Sequence, residues 1–545
     1  MHNFCAHFRT FVQKVCTFWL IYVNITCTFE ALLCNRLTFA AVFSKIILKV
    51  MKKNLLSLAV FMMTSVSALA GGILTNTNQS VAFLKNPARD AAIGIDGVYS
   101  NPAGVVFMPE GFHLAINWQM AHQTRTITST NPLFAWGKKN DGKTTKTFEG
   151  VANAYMIPSV QAAYNKGDWS IQFNFSMPGG GGVCEYENGL GSFEGAVGDI
   201  ARQLKAAGLG VEGYDVDAYM RGRQYYFGFQ LGAAYKINEH WSIYGGLRIL
   251  YGDASYKARL NNIQVGLNDA QGEMYYQNFD RFINDNIAGI NRQLGQAEAA
   301  TAAGMYTVAQ LQAAYAMAQP GIDRLEALQK YSQGVNLMSI QTGFGFAPII
   351  GVDYKIGNFN FAAKYEFNTE MKMKNHSTLD RAMEIEAINK YQDGTDVDED
   401  APALLTVGAQ WSIRPDVRLN LGYHHYYDKN AHWYGNAQDK LSHGTNEYLA
   451  GVEWDINDRI NISAGGQLTR YGLTDEYMND MSFVVNSYSV GAGITYKATD
   501  HIKVSAAYFQ TNYSDYNREN YPAEGVHDSF TRTNRVIGLG VQLDF

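Results

Sequence analysis

Charge is scarce in this 545-residue chain. Asp, Glu, Lys and Arg together make up 17% of it, against roughly a quarter in soluble domains. Proline is scarce too, at 11 residues, so few positions force a long element to stop. After residue 70 there is no run of about 20 consecutive apolar residues, which excludes a bundle of spanning helices. The mean hydropathy of −0.20 agrees. Beyond residue 70 only Cys184 remains of the five cysteines, which excludes an internal disulfide or a cysteine zinc site there. There is no nucleophile elbow, phosphate loop or HExxH helix, so nothing points to an enzyme, a cofactor or a metal. Glycine (52), tyrosine (34) and phenylalanine (29) are plentiful. Aromatics at 13% exclude disorder, and this balance favours strands.

Residues 51–70 have the anatomy of a secretory signal. Lys52 and Lys53 precede an apolar stretch, and Ala68-Leu69-Ala70 is a small-x-small cleavage site. Met51 then reads as the true start, and residues 1–50 as mis-annotated upstream translation. Removing residues 1–70 takes away seven basic residues and one acidic one, leaving 37 against 49. An acidic exported chain argues against nucleic acid as a partner.

From residue 111 onward one pattern recurs. Apolar residues alternate with small or polar ones for about ten positions, and a turn follows. In the last segment Ile537, Leu539, Val541, Leu543 and Phe545 share one face, while Val536, Gly538, Gly540, Gln542 and Asp544 share the other. A Tyr or Trp stands immediately before a short polar turn six times, at Tyr164, Tyr235, Tyr354, Trp411, Trp454 and Tyr496. Amphipathic rings at one end of the strands suit a membrane interface. Strands are expected at 111–128, 149–166, 168–178, 223–237, 240–260, 340–356, 358–374, 402–413, 416–429, 444–456, 459–472, 485–498, 501–513 and 532–545. The even count and the alternation of short turns with long connections are the marks of an outer-membrane barrel. Lipid requires the ring to close, because an open edge would leave backbone groups unpaired. The expected fold is therefore an all-β transmembrane protein, a 14-stranded antiparallel β-barrel over 111–545. Helical spacing at 193–209, 276–296 and 307–331 predicts folded outer loops.

Residues 71–110 do not alternate. Asn-Pro-Ala occurs twice, at 86–88 and 101–103, among small residues and turn signals. Such a segment either hangs in the periplasm or fills the barrel. Here the chain resembles the FadL/TodX family of outer-membrane transporters for hydrophobic compounds. The residues that carry the resemblance are Asn78-Gln79-Ser80, the stretch 91–97, and Ser100-Asn101-Pro102-Ala103-Gly104, followed by fourteen strands, Pro178 with its glycines, and a terminal aromatic. The chain departs from the family around Asn86-Pro87-Ala88. The resemblance implies a hatch over 71–110 that plugs the lumen, with Asn101, Pro102, Ala103 and Gly104 at its gate. It also implies a fatty acid or aromatic hydrocarbon bound near the outer loops and released sideways beside a kinked third strand. Pro178 cannot donate to a ladder, and Gly179 and Gly180 resist strand order, so a break there is physically reasonable.

The inward phase supplies candidate ligand contacts in Phe509, Leu449, Ile349, Leu250 and Tyr226, which would equally well pack against the hatch. Arg248 and Lys364 are inward cations for a carboxylate, unless Glu366 and Glu453 neutralise them. His424, His425 and His432 invite a metal reading. His424 and His425 face opposite sides of a strand, so a surface loop cluster is expected instead. The acidic run at 396–400 reads as a solvated loop. The expected partners are a hydrophobic small molecule, outer-membrane lipid and, through Phe545, the barrel-assembly machinery. The functional expectation is transport of hydrophobic compounds, with long-chain fatty acid as the family default. A general porin and a haem or adhesion receptor using the outer loops are the competing readings.

Overall fold

Period-two alternation builds the wall of this protein. The computed structural model describes residues 73, 78–332, 334–380 and 390–545; the leader 1–50 and the signal segment 51–70 lie outside the described residues. A one-turn helix, α1 (Val81–Lys85), precedes fourteen long strands. These are β1 (Gly111–Thr130), β2 (Thr145–Lys166), β3 (Trp169–Tyr186), β4 (Val211–Lys236), β5 (Trp241–Asn268), β6 (Val335–Ile356) and β7 (Phe359–Glu366), then β8 (Leu404–Arg414), β9 (Val417–Tyr426), β10 (Asn446–Asn457), β11 (Ile460–Arg470), β12 (Ser487–Lys497), β13 (Ile502–Tyr513) and β14 (His527–Asp544). Each pairs antiparallel with the next. β14 returns to β1 with unbroken register from His113↔Asp544 to Thr130↔His527. The ring is therefore closed, as a spanning sheet requires. No helix among the described residues is long and apolar enough to cross a membrane.

The two faces sort as the alternation demands. Ile537, Leu539 and Val541 are exposed while Val536 is fully buried. Tyr448, Val452 and Trp454 face out, and Leu449 faces in. The apolar exterior ends in rings that touch around the short-turn rim. Trp169 lies 4.7 Å from Tyr235, Trp241 4.3 Å from Tyr354, and Phe359 5.8 Å from Trp411, centroid to centroid. Phe112 and Phe545 exchange backbone hydrogen bonds of 2.9 Å, which places both ends of the barrel at this rim.

Several expected boundaries shift. β3 does not stop at Pro178 but continues to Tyr186 with its pairing disrupted. β4 starts at Val211 rather than 223, and β5 runs to Asn268 rather than 260. Polar residues interleaved at Asp215 and Asp217 hide this extension from a periodicity reading. Val211, Tyr214, Val216, Ile263 and Val265 nevertheless bury themselves against the outer helices. The seventh strand leaves its ladder after Glu366, and Lys372–Asp380 resumes as a separate strand on the outer part of β6. The helices fall near their expected places, as α2 (Gly191–Ala206), α3 (Phe279–Ala302) and α4 (Val308–Ser332).

Candidate functional site

The site begins with residues 78–110. Asn78 and Ser80 start α1: Asn78 Oδ1 accepts from Ser80 N at 2.9 Å, and Ser80 Oγ accepts from Phe83 N at 3.1 Å. The two Asn-Pro-Ala elements repeat one device. Asn86 Oδ1 accepts from Ala88 N at 3.1 Å, and its amide reaches Glu453 of β10 at 3.4 Å. Asn101 Oδ1 accepts from Gly104 N at 3.2 Å, and its amide reaches Asp353 of β6 at 2.6 Å. Each asparagine closes its own turn and holds a carboxylate of the wall. Gly104 must lack a side chain, because a Cβ would lie 2.3 Å from the Asn101 amide nitrogen.

Backbone carbonyls left unpaired by this irregular path find donors on the inward faces of the strands, as buried polar groups must. Asn360 donates to Ala91, Gln230 to Val98, Lys364 to Tyr99, Gln172 to Pro102, Ser242 to Ala103 and Asn165 to Val105, all within 2.9 Å. Inward glycines provide the seats. A Cβ on Gly451 would meet Asn86 at 2.0 Å, one on Gly491 would meet Leu84 at 2.1 Å, and one on Gly538 would meet Leu84 at 2.5 Å. Charges link segment and wall as well. Arg89 pairs with Asp96 at 2.8 Å and with Glu453, which also meets Arg418 at 3.3 Å. His424 lies between Asp90 at 2.9 Å and Glu447 at 2.8 Å. His424 and His425 are thus strand residues and not a surface loop cluster: His424 is an inward residue of β9 and His425 bonds Asn446 at 2.9 Å, while His432 is exposed in a loop beside Asp400. Nor is the acidic run wholly solvated, since Asp400 is buried and accepts from Met371 N at 2.9 Å.

All seven candidate ligand residues are buried; Lys364 lies against Tyr99, and the other six divide into three places. Phe509 and Leu449 pack with Phe83 and Leu84, the Phe83 and Phe509 rings 5.9 Å apart. Ile349 packs with Ala103 and Val106. Tyr226, Arg248 and Leu250 come together with Pro178 and Gly179 around a cavity completed by Tyr99, Glu366, Ala401, Pro402, Leu404 and Tyr426. Its volume is about 20 Å³. That is room for a single water, so a larger molecule enters only if a wall moves. Toward the outer loops Tyr226 and Leu250 pack with Ala254, Met371, Met373 and Val397 in a soft apolar cluster. Glu399 accepts from Gln224 at 3.2 Å and from the Tyr226 hydroxyl at 3.4 Å, and burial pushes its carboxyl up.

Tyr99 lines the cavity from the segment's side. Its ring sits between two cations, with the Arg248 guanidinium 4.8 Å and the Lys364 ammonium 5.0 Å from its centroid. Arg248 also pairs with Glu366 and donates to Gln230 at 2.8 Å. Sequence reasoning missed Tyr99, although it adjoins Ser100-Asn101-Pro102. It also missed the methionines, although Met371 and Met373 alternate with lysines.

Beside the cavity the barrel wall is interrupted. β2 and β3 pair from Lys166↔Trp169 to Val160↔Phe175 and meet again only at Val151↔Glu185. Residues 152–159 and 176–184 form no ladder with each other. Pro178 and Pro158 stand on the two banks, neither with an N–H to give. Gly180 at φ +100° and Gly182 at φ +71° hold backbone conformations that L side chains rarely adopt. Pro158, in mid-strand, is the signal for the second bank that the periodicity reading passed over.

These features define a class: a closed 14-stranded barrel with an apolar exterior, a segment bonded to its inward face, and a break in its wall between β2 and β3. Among solved structures the chain is similar to a FadL homologue of Pseudomonas aeruginosa, at 11% identity over 87% of this chain and 100% of that one, with a TM-score of 0.56. It is also similar to the toluene transporters TodX of P. putida (12% identity, 83% and 94% covered, TM-score 0.48) and TbuX of Ralstonia pickettii (13%, 86% and 99%, 0.47). At such identities the likeness is one of fold. No protein-family model and no curated protein matches the sequence.

Proposed function

We propose that the chain is an outer-membrane transporter for hydrophobic compounds, delivered by the signal at 51–70 and folded with the barrel-assembly machinery through Phe545. In this reading residues 71–110 are a hatch, gated at Asn101, Pro102, Ala103 and Gly104. Long-chain fatty acid is the ligand. Its chain lies along Leu250, Met371 and Met373, and its carboxylate turns to Arg248 and Lys364 once Tyr99 withdraws. Release is sideways, between β2 and β3, so that the solute enters the membrane without crossing bulk water.

The observation that carries this reading is the adjacency of a cavity with both apolar and charged walls to the gap between 152–159 and 176–184, with Pro178 and Gly179 lining both. A general porin needs an open lumen, and the many bonds between residues 78–110 and the wall weigh against one. The test is mass spectrometry of lipid retained after gentle detergent purification. Long-chain fatty acid at about one per chain is the expected result; retained haem, or nothing with an acyl chain, counts against it.

A further inference from the structure

A break in a spanning wall leaves backbone groups facing hydrocarbon, where nothing but the protein can satisfy them. At this break one side chain does so from inside. The Gln79 amide donates to the Met177 carbonyl, and its Oε1 accepts from Met177 N at 2.6 Å. A primary amide thus stands where a neighbouring strand would stand, offering the same donor and acceptor. The backbone carbonyl of the same residue accepts from Ser159 Oγ at 3.1 Å. Met177 is on β3 and Ser159 on β2, so Gln79 bonds to both banks.

The tie extends into the wall. Val81 N donates to Asn117 Oδ1 at 3.0 Å, Asn117 to Gln161 at 2.8 Å, Gln161 to Asn174 at 3.0 Å, and Asn174 to Ser176 at 3.0 Å. This row of amides leaves the segment two residues beyond Gln79, crosses β1 and β2, and ends on β3 one residue before Met177. Gln79, Met177 and Ser159 are all buried.

We infer that Gln79 is the latch of the gap: its amide completes the ladder of β3 in the closed state, and sideways release requires that pair to part. This rests on the sideways-release reading of the preceding section and adds the residue that controls it. Displacing the segment by a residue length would withdraw the amide from Met177 and free both banks together. Gln79 is a positioning residue, distinct from the groups that line the cavity.

The test uses the full-length protein in nanodiscs, with Gln79→Leu, close in size and unable to bond, and Ser159→Ala, a small change certain to leave the barrel intact. Deuterium exchange of peptides covering 174–180 is measured beside uptake of radiolabelled oleate, a long-chain fatty acid, by cells. Folding is checked by heat-modifiable migration on gels. Exchange is expected to rise about tenfold in Gln79→Leu and about threefold in Ser159→Ala, with Gln79→Glu between, since it keeps the acceptor for Met177 N. If exchange in folded Gln79→Leu stays below about a threefold rise, the latch is overturned whatever uptake does. Raised exchange with raised uptake supports latch and route together. Raised exchange with unchanged uptake keeps the latch and removes the sideways route.

Discussion

The seam between β12 and β13 and the seam between β2 and β3 belong to one sheet and solve one problem differently. The first pairs without a shift from Ser487↔Tyr513 to Lys497↔Lys503. The second gives up its ladder over 152–159 and 176–184. Both seams belong to the same closed ring. The difference lies in the local sequence: Pro158, Pro178 and the run of glycines 179–182 on one side, and no proline and no run of consecutive glycines in β12 or β13. A membrane barrel tolerates a missing ladder where an interior segment supplies the partners. The broken seam therefore depends on residues 78–110, and the intact one does not.

Deleting residues 71–110 breaks the comparison most severely. Conductance in planar bilayers is expected to rise by about tenfold or more, and amide exchange at 174–180 should climb while 487–497 stays protected. Unchanged conductance would mean the segment does not close the lumen. Pro178→Val restores a backbone donor and strand preference. It should make the two seams more alike and reduce uptake of long-chain fatty acid several-fold without loss of folded protein.

Within the segment the two asparagines can be set against each other. Asp353 has Asn101 and Asn360 as donors, at 2.6 and 2.8 Å, whereas Glu453 keeps Arg89 and Arg418 when Asn86 is lost. Asn101→Ala should destabilise by about 1–3 kcal/mol, because a buried carboxylate loses a partner, and Asn86→Ala by about 1 kcal/mol or less. Urea midpoints of the refolded barrel measure both; equal losses would show that the wall carboxylates are not what distinguishes the two elements.

The smallest effect concerns the outer caps. Burial pushes the Asp428 carboxyl up to about 6, although Thr445 N donates to it at 2.7 Å. An aspartate in an unfolded chain titrates near 3.9. The charged form is thus the disfavoured one in the docked loop, and the loop is most stable below pH 4, losing that stability as pH rises through about 6. Protection of amides in 427–445, corrected for intrinsic exchange, should grow as pH falls from 7.5 to 5. Asp428→Asn should flatten the profile.

Much of this architecture was legible in the sequence, because period two is local. Alternation assigned Val536 inward and Ile537 outward, the aromatic turns marked one rim, and helical spacing located the outer helices. All seven inward candidates are buried, yet only Tyr226, Arg248 and Leu250 meet at the cavity; which inward residues converge depends on pairings far apart in sequence. His424 failed as a surface residue because its partners, Asp90 and Glu447, lie 334 and 23 residues away. Gln79 gave no local sign of its role at all: an amide that replaces a strand is recognisable only once the strand is seen to be missing.

The glycine seats carry a consequence for inheritance and for engineering. With Gly451 fitted to Asn86, and Gly491 and Gly538 fitted to Leu84, any enlargement of the wall at those points must be matched by trimming in the leading segment. The two parts can drift far from their relatives only as a matched pair. A leading segment grafted from another barrel would need its own set of cleared positions carried over with it.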